Sequence, residues 1–335
     1  MGGVLEQPKI LLIDDLPENI ELLRTFFYDQ NYKILKAFNG KDALDIVHKE
    51  HPDLIILDIV MPGMDGFQVA ETLKCSNDTK EIPIIFITGM DDKSSQRRGY
   101  EIGVEDYITK PINMYELKMR TKQLIKYKQV SDRLRYAEEL LYNIAFLVEK
   151  REKYEIGHSK RLAKYSEMIA RSLGLSDEQT EQVCKGGALH DIGKIFISEN
   201  ILTKPGPLTD EEYEAIKEHP ARGEDMVKPF KNLEHILPLI KYHNERYDGS
   251  GYPDGLKGDD IPLGATIIAL VESYLSLTQD RPFRKAFTQE KALNVLRTEA
   301  EKGRWNMTIF MEFDKLMQEQ AIHQNVETAI ATPFN

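Results

Sequence analysis

The sequence predicts a multidomain chain: an α/β unit with a parallel sheet, a long linker helix, and an all-α unit. Three observations carry this. The first 126 residues alternate short β-branched runs, at 10–13, 54–57 and 84–87, with longer stretches of helical spacing, the pattern of strands joined by helical crossovers. Residues 113–150 contain neither Gly nor Pro, so no breaker interrupts a helix there. From about residue 140 the β-rich runs vanish, and helical periodicity continues between Gly/Pro loops at 203–207 and 248–264. The 335 residues fit about two domains at roughly 150 residues each. The ranges are 1–126 for the first domain, 113–150 for the linker helix overlapping both neighbours, and 140–335 for the second domain.

In the first unit, Ile10–Ile13, Leu54–Leu57 and Ile84–Ile87 are apolar throughout rather than alternating, as strands buried on both faces are. A last short run spans Val104–Tyr107. Functional groups of an open parallel sheet gather beyond the carboxyl ends of its strands. Asp14 and Asp15 follow the first run, Asp58 the second and Thr88 the third, and Lys110-Pro111 follows the last. Three carboxylates brought together repel unless a cation lies among them, and hard oxygen donors suit Mg²⁺. A carboxylate neutralised in this way can attack phosphorus as a nucleophile. A lysine balances the added charge, and a threonine hydroxyl donates to a phosphoryl oxygen.

In the linker, Tyr127, Val130, Leu134, Ala137, Leu141, Ile144 and Val148 recur at alternating spacings of three and four. This is a heptad seam. Two readings stand: an amphipathic helix packed on its own chain, or a parallel homodimer.

Of the chain's eight histidines, His48, His51, His235 and His323 lack acidic or histidine neighbours at ligand spacing and are read as surface or packing residues. The other four are His158, three residues after Glu155 and so on one helix face with it; His190, beside Asp191; His219, closing the acidic run from Asp210; and His243, ahead of a Gly-rich loop. Imidazole and carboxylate donors without thiolate suit Fe or Mn, with Zn also compatible. Two such ions bridged by one carboxylate activate water and clamp the oxygens of an in-line phosphoryl displacement.

Composition narrows the class. Apolar residues make up 41% and charged residues 30%, which excludes a mainly disordered chain. A formal charge of −11 argues against direct DNA binding, which needs a basic face to release counterions. The two cysteines, Cys75 and Cys184, make no disulfide framework. No signal peptide is visible, and apolar runs such as Ile267–Val271 fall far short of the roughly 20 residues of a membrane span. The expected location is cytoplasmic, without membrane insertion.

Residues 8–126 resemble a response-regulator receiver domain. The resemblance rests on Asp14-Asp15, Asp58 followed by Met61-Pro62-Gly63-Met64-Asp65-Gly66, Thr88-Gly89 and Lys110-Pro111. It implies a doubly wound, five-stranded parallel sheet. It also implies that Asp58 accepts a phosphoryl group from a sensor histidine kinase, and that Asp14, Asp15, Asp58 and the Val60 carbonyl bind Mg²⁺. Thr88 and Tyr107 match the family's switch pair, with Lys110 completing the switch.

Residues 140 to about 320 resemble the HD-GYP family of cyclic di-GMP phosphodiesterases. The matching pieces are Glu155-x-x-His158, His190-Asp191-x-Gly193-Lys194, Leu202-x-Lys204-x-Gly206-x-Leu208, His219-Pro220, His243-x-Glu245, Asp248-Gly249-x-Gly251-Tyr252-Pro253 and Asp280-Arg281-Pro282-Phe283-Arg284. The resemblance implies an all-helical HD-type domain with two or three ions held by His158, His190, Asp191, His219 and His243. Glu155 is implied as an extra ligand, and Glu272 stands at a further ligand position. Asp191 and Lys194 would serve catalysis. Lys194 and Arg284 would hold the dinucleotide, and Gly251, Tyr252 and Pro253 would shape its pocket.

The chain departs from that pattern at Asn244, where the family has a second histidine, and at Glu272, where it has Asp. It also departs at Leu275, where a carboxylate is usual, and at Thr266, where an arginine is usual. The leading expectation is hydrolysis of cyclic di-GMP to pGpG and GMP, controlled at Asp58. The competing expectation is a receptor or protein-interaction module that binds the dinucleotide with little turnover.

Overall fold

A computed structural model describes residues 7–89, 93–152, 157–280 and 284–319. It divides into two compact units, Met1–Tyr136 and Ala137–Asn335. The first contains β1 (Lys9–Ile13), α1 (Pro17–Phe27), β2 (Lys33–Ala37), α2 (Gly40–Glu50), β3 (Leu54–Asp58), α3 (Gly66–Cys75), β4 (Ile84–Thr88), α4 (Lys93–Ile102), β5 (Asp106–Thr109) and the start of α5 (Met114–Arg151). The strands are all parallel, in the order β2-β1-β3-β4-β5. This doubly wound order has its switch point between β1 and β3.

Because successive side chains of a strand alternate faces, the uniformly apolar runs feed two cores. Leu11, Ile13, Ile55, Leu57, Ile84 and Phe86 pack with Val47, Val69 and Leu73 on one face. Ile10, Leu12, Leu54, Ile56, Ile85 and Ile87 pack with Ile20, Phe27 and Leu117 on the other. Each fully buried Leu or Ile contributes about 1.5–3 kcal/mol. β2 lies outside the apolar runs: it is an edge strand with Lys33 exposed and Lys36 half-buried, which blunts the edge.

The second unit contains the end of α5 and then α6 (His158–Ser172), α7 (Asp177–Leu189), α8 (Glu199–Leu202), α9 (Asp210–Lys217), α10 (His219–Val227), α11 (Leu237–Tyr242), α12 (Leu263–Thr278), α13 (Gln289–Glu301) and α14 (Met307–Gln318). Leu162, Ile169, Val183, Ile268, Leu270, Leu296 and Phe313 form one core. Leu141, Ala145, Leu189, Ile192, Val227, Ile236 and Ile240 form a second. Among the described residues the five-stranded sheet is the one sheet present. None of their helices is long and apolar enough to cross a membrane.

The heptad seam splits in two. Leu141, Ala145 and Val148 are buried, and Leu141 and Ile144 pack in the second unit's own core. Packing on the same chain is therefore the correct reading for this half, and it is unavailable to a partner helix. Tyr127, Val130 and Leu134 remain exposed. Leu141→Ala is accordingly expected to cost about 2–5 kcal/mol through cavity formation, and Leu134→Ala no more than about 0.5 kcal/mol. Urea unfolding checks this, and equal costs at the two positions contradict the packing described.

Candidate functional site

The acidic cluster of the first unit stands at the switch point. Asp58 ends β3, and Asp14 directly follows β1. Asp14, Asp15 and Asp58 each offer an oxygen within 4.8 Å of the others, and Asp14 and Asp58 are buried. Burial pushes the Asp14 carboxyl up; the Leu16 N–H and the Asn19 amide oppose the rise, and nearby Asp58 adds to it. Lys110 Nζ lies 2.7 Å from Asp58 Oδ2, and the Val60 N–H donates to Asp58 Oδ1 at 3.3 Å. Three crowded carboxylates, two of them buried, are a donor set that fits a hard divalent cation.

Thr88 ends β4 and is buried. Tyr107 on β5 faces inward: its ring packs on Phe86 and Tyr100, and its hydroxyl donates to the Gln96 carbonyl at 3.0 Å. That rotamer depends on Gly99, where a Cβ would stand 1.5 Å from Tyr107 Oη and 2.6 Å from Cζ. Gly99→Ala is therefore expected to expel the ring and to cost about 1–3 kcal/mol through overpacking. Fluorine NMR of fluorotyrosine-labelled protein, together with the thermal midpoint, checks this. An unshifted Tyr107 resonance contradicts it.

In the second unit the histidines arrive from different elements. His158 is the first residue of α6, His190 caps the C-terminus of α7, His219 opens α10, and His243 caps the C-terminus of α11. All four are buried. Asp191 follows His190 and precedes a 3-10 turn at 192–196. That turn approaches α10 so closely that a Cβ on Gly193 would stand 2.0 Å from the His219 carbonyl oxygen. Glycine there lets Asp191 reach His219.

Asp191 Oδ1 lies 3.2 Å from His219 Nε2 and 3.7 Å from His243 Nε2. Its Oδ2 lies 3.1 Å from His190 Nε2 and 2.7 Å from Lys194 Nζ. Glu272, from α12, places Oε2 at 2.7 Å from His158 Nε2 and 3.9 Å from His190 Nε2.

The ring tautomers test whether these residues suit metal ions. The Nδ1 atoms of His190, His219 and His243 each lie 2.7 Å from a carbonyl three residues earlier, those of Gly187, Ile216 and Ile240. A carbonyl only accepts, so each Nδ1 carries the proton. This fixes the ring and turns Nε2 toward the site, as the outer contacts of metal-binding histidines do. His219 Nε2 and His243 Nε2 then face each other at 3.2 Å, and His190 Nε2 is buried against Asp191 Oδ2. Facing lone pairs beside a carboxylate call for a cation, so the residues fit.

Burial and the two carboxylates set the local electrostatics. Burial opposes a charge on His190, but Asp191 outweighs it and pushes the ring up to about 9. Burial, with His190 and His219, pushes His243 down to about 4, against the Asp191 hydrogen bond. Burial also opposes charge on Glu272, yet His158 holds its carboxyl down to about 2. The sets His158–His190–Glu272 and His190–Asp191–His243 each bring donor atoms within 4.8 Å of one another.

The remaining site residues divide. Asn244 Nδ2 lies 2.6 Å from His243 Nε2 and 3.4 Å from His219 Nε2. An ion on His243 would exclude that hydrogen bond, so the carboxamide must rotate away when one binds. Leu275 is buried in the apolar core and supplies no polar group. Gly251 presses on the backbone of Glu245 and Arg246, and Tyr252 and Pro253 are half-buried beside it. The Arg284 guanidinium donates to the carbonyls of Ser276 at 2.6 Å and Leu277 at 3.0 Å, closing the end of α12. The helix of His158 begins at that residue, and Glu155 lies outside the described residues, as do Arg281, Pro282, Phe283 and His323.

Sequence reasoning missed two positioning groups. The Glu245 carboxylate accepts the N–H of Asp254 and of Gly255 at 2.8 and 2.9 Å, holding the Gly-Tyr-Pro loop. Gln279 Oε1 accepts from His158 Nδ1 at 3.1 Å. Glu245 stood in the quoted motif without a role. Gln279 carries no local signal, because it meets His158 across 121 residues of chain.

A phosphoacceptor-type acidic pocket followed by a helical histidine–aspartate centre defines a class of signalling protein with an HD output domain. The comparisons agree: the response regulator receiver domain matches residues 10–122 and the HD domain residues 139–309, and the chain belongs to the response regulators built from these two domains. The HD domain is a metal-dependent family.

Three relatives are informative. The cyclic di-GMP phosphodiesterase response regulator RpfG of Xanthomonas campestris pv. campestris is 34% identical over 318 residues, 88% of this chain and 84% of that protein. A cyclic di-GMP phosphodiesterase of Thermotoga maritima is 28% identical over 313 residues, 84% of this chain and 83% of that protein. The 3′3′-cGAMP-specific phosphodiesterase 3 of Vibrio cholerae is 37% identical over 161 residues, 48% of this chain and 35% of that protein.

Proposed function

We propose that the chain hydrolyses cyclic di-GMP, to pGpG and then GMP, under control of phosphorylation at Asp58. The reaction would take place at two or three divalent ions held by His158, His190, Asp191, His219, His243 and Glu272. The observation that carries this reading is the convergence on Asp191, one carboxylate within 3.7 Å of the Nε2 atoms of three imidazoles whose Nδ1 atoms are held by backbone carbonyls. Such a carboxylate can bridge two ions. Fe or Mn suits the imidazole–carboxylate donors, with Zn also compatible. Bound there, the ions would supply a hydroxide nucleophile and neutralise the phosphodiester.

The chain's own residues do the rest. Asp191 sets the spacing between His190 on one side and His219 and His243 on the other. Lys194 keeps a positive charge beside Asp191, where a phosphate oxygen can meet it. Glu245 holds the loop of Gly251, Tyr252 and Pro253 in place as a pocket wall, whereas the Arg284 guanidinium, expected to hold the dinucleotide, is instead spent on the carbonyls at the end of α12. Glu155 is an additional ligand of a third ion. In the receiver, Asp14, Asp15 and Asp58 hold Mg²⁺, a sensor histidine kinase supplies the phosphoryl group, and Thr88, Tyr107 and Lys110 relay its arrival.

The test is turnover by anaerobically purified protein loaded with Fe²⁺ or Mn²⁺. Chromatography follows pGpG and GMP, and 3′3′-cGAMP is run in parallel. Faster hydrolysis of 3′3′-cGAMP reassigns the substrate. A second reading, a cyclic di-GMP receptor with little turnover, is favoured by the Asn244 contact to His243. Tight binding without hydrolysis by metal-replete protein establishes that reading instead.

A further inference from the structure

We propose that Glu152 is a positioning residue of the candidate metal centre, acting through Lys194 on Asp191, and that the end of α5 is the wall that holds it there. The proposal rests on the metal-centre reading above. Three side chains from 149–152 grip both sides of the site. The Glu149 carboxylate accepts the backbone N–H of Gly157 at 2.6 Å, His158 at 2.9 Å and Ser159 at 3.1 Å. It thereby fixes the start of α6, where His158 stands, as a carboxylate at a helix N-terminus does. The Arg151 guanidinium donates to the carbonyls of Ile195 and Ile197 at 3.2 and 2.7 Å, tying down the turn that carries Lys194. Glu152 Oε1 lies 2.9 Å from Lys194 Nζ, which itself lies 2.7 Å from Asp191 Oδ2.

Lys194 is thus one cation shared by two carboxylates. The Glu152 and Lys194 side chains are 6% and 12% exposed, so water screens the pair poorly. With Glu152 in place, Asp191 feels only part of the lysine's attraction, and its Oδ2 stays available toward His190 and a bound ion. Without the Glu152 charge, Lys194 is drawn more strongly to Asp191 and competes with the ion for that oxygen. Nothing in the spacing of residues marks Glu152 for this role. It follows the end of a long helix and meets its partner 42 positions further on only because α5 packs there.

The experiment uses the full chain and Mn²⁺ alone, by equilibrium dialysis, so that it does not depend on catalysis. Glu152→Gln is expected to weaken Mn²⁺ binding about tenfold or more with helicity and thermal midpoint retained. Glu152→Asp, which keeps the charge, is expected to recover most of the loss. In a Lys194→Met background, Glu152→Gln is expected to have no further effect, because coupled residues do not act additively. Unchanged affinity in Glu152→Gln overturns the proposal, as does an equal loss in the Lys194→Met background.

If Glu152→Gln does not fold, Glu152→Asp decides. A weakening of a few-fold that vanishes in the Lys194→Met background supports the proposal, and an affinity equal to wild type overturns it. Wild-type protein that binds no Mn²⁺ overturns the metal-centre reading and this proposal together. Wild-type protein that binds Mn²⁺ but hydrolyses no cyclic dinucleotide overturns the enzymatic reading alone.

Discussion

On the proposed function, Asp191→Ala is expected to lower metal binding by the helical unit and to reduce cyclic di-GMP turnover beyond the roughly 10- to 100-fold that loss of an outer contact costs. The reason is position. Asp191 faces His219 and His243 with one oxygen and His190 and Lys194 with the other. Its removal takes a donor from both sides of the centre at once. His219→Ala removes one nitrogen from one side and is expected to lose less metal. Metal analysis of the two variants, purified side by side without oxygen, checks the order. Equal or reversed losses remove Asp191 from the bridging role.

Asp58→Asn is expected to abolish phosphate uptake from a small phosphodonor. The carboxamide is neither anionic nor a competent nucleophile, and it gives up the ion pair to Lys110 at 2.7 Å. It also lowers the charge of the pocket formed with Asp14 and Asp15, so Mg²⁺ should bind more weakly. Intact-mass measurement after incubation with the donor and Mg²⁺ checks the first effect. Stoichiometric phosphorylation of the variant at another residue sinks the assignment of Asp58.

Much of both sites was legible before folding, for a local reason. The apolar runs that become β1, β3 and β4 end in Asp14, Asp58 and Thr88, and parallel strands must present those ends together. The histidines could be picked out by their acidic company. β2 was not among the runs, because an edge strand needs burial on few positions and Lys33 and Lys36 break its pattern. The heptad seam was read as continuous because periodicity records which face of a helix is apolar and is silent on what covers it. Leu141 and Tyr127 share that face, yet one is buried and the other exposed.

The sequence by itself determined the two-unit organisation, the acidic strand ends and the identity of most candidate ligands, since each is encoded by neighbours within a few residues. Only the tertiary structure decided which groups share a space. It set Glu272 against His158 across 114 positions and Asn244 against the facing nitrogens of His219 and His243. It turned the Arg284 guanidinium onto the end of α12, and it brought Glu152 to Lys194. These contacts arise from the packing of helices distant in sequence, and no local periodicity encodes a distance that only a folded core can close.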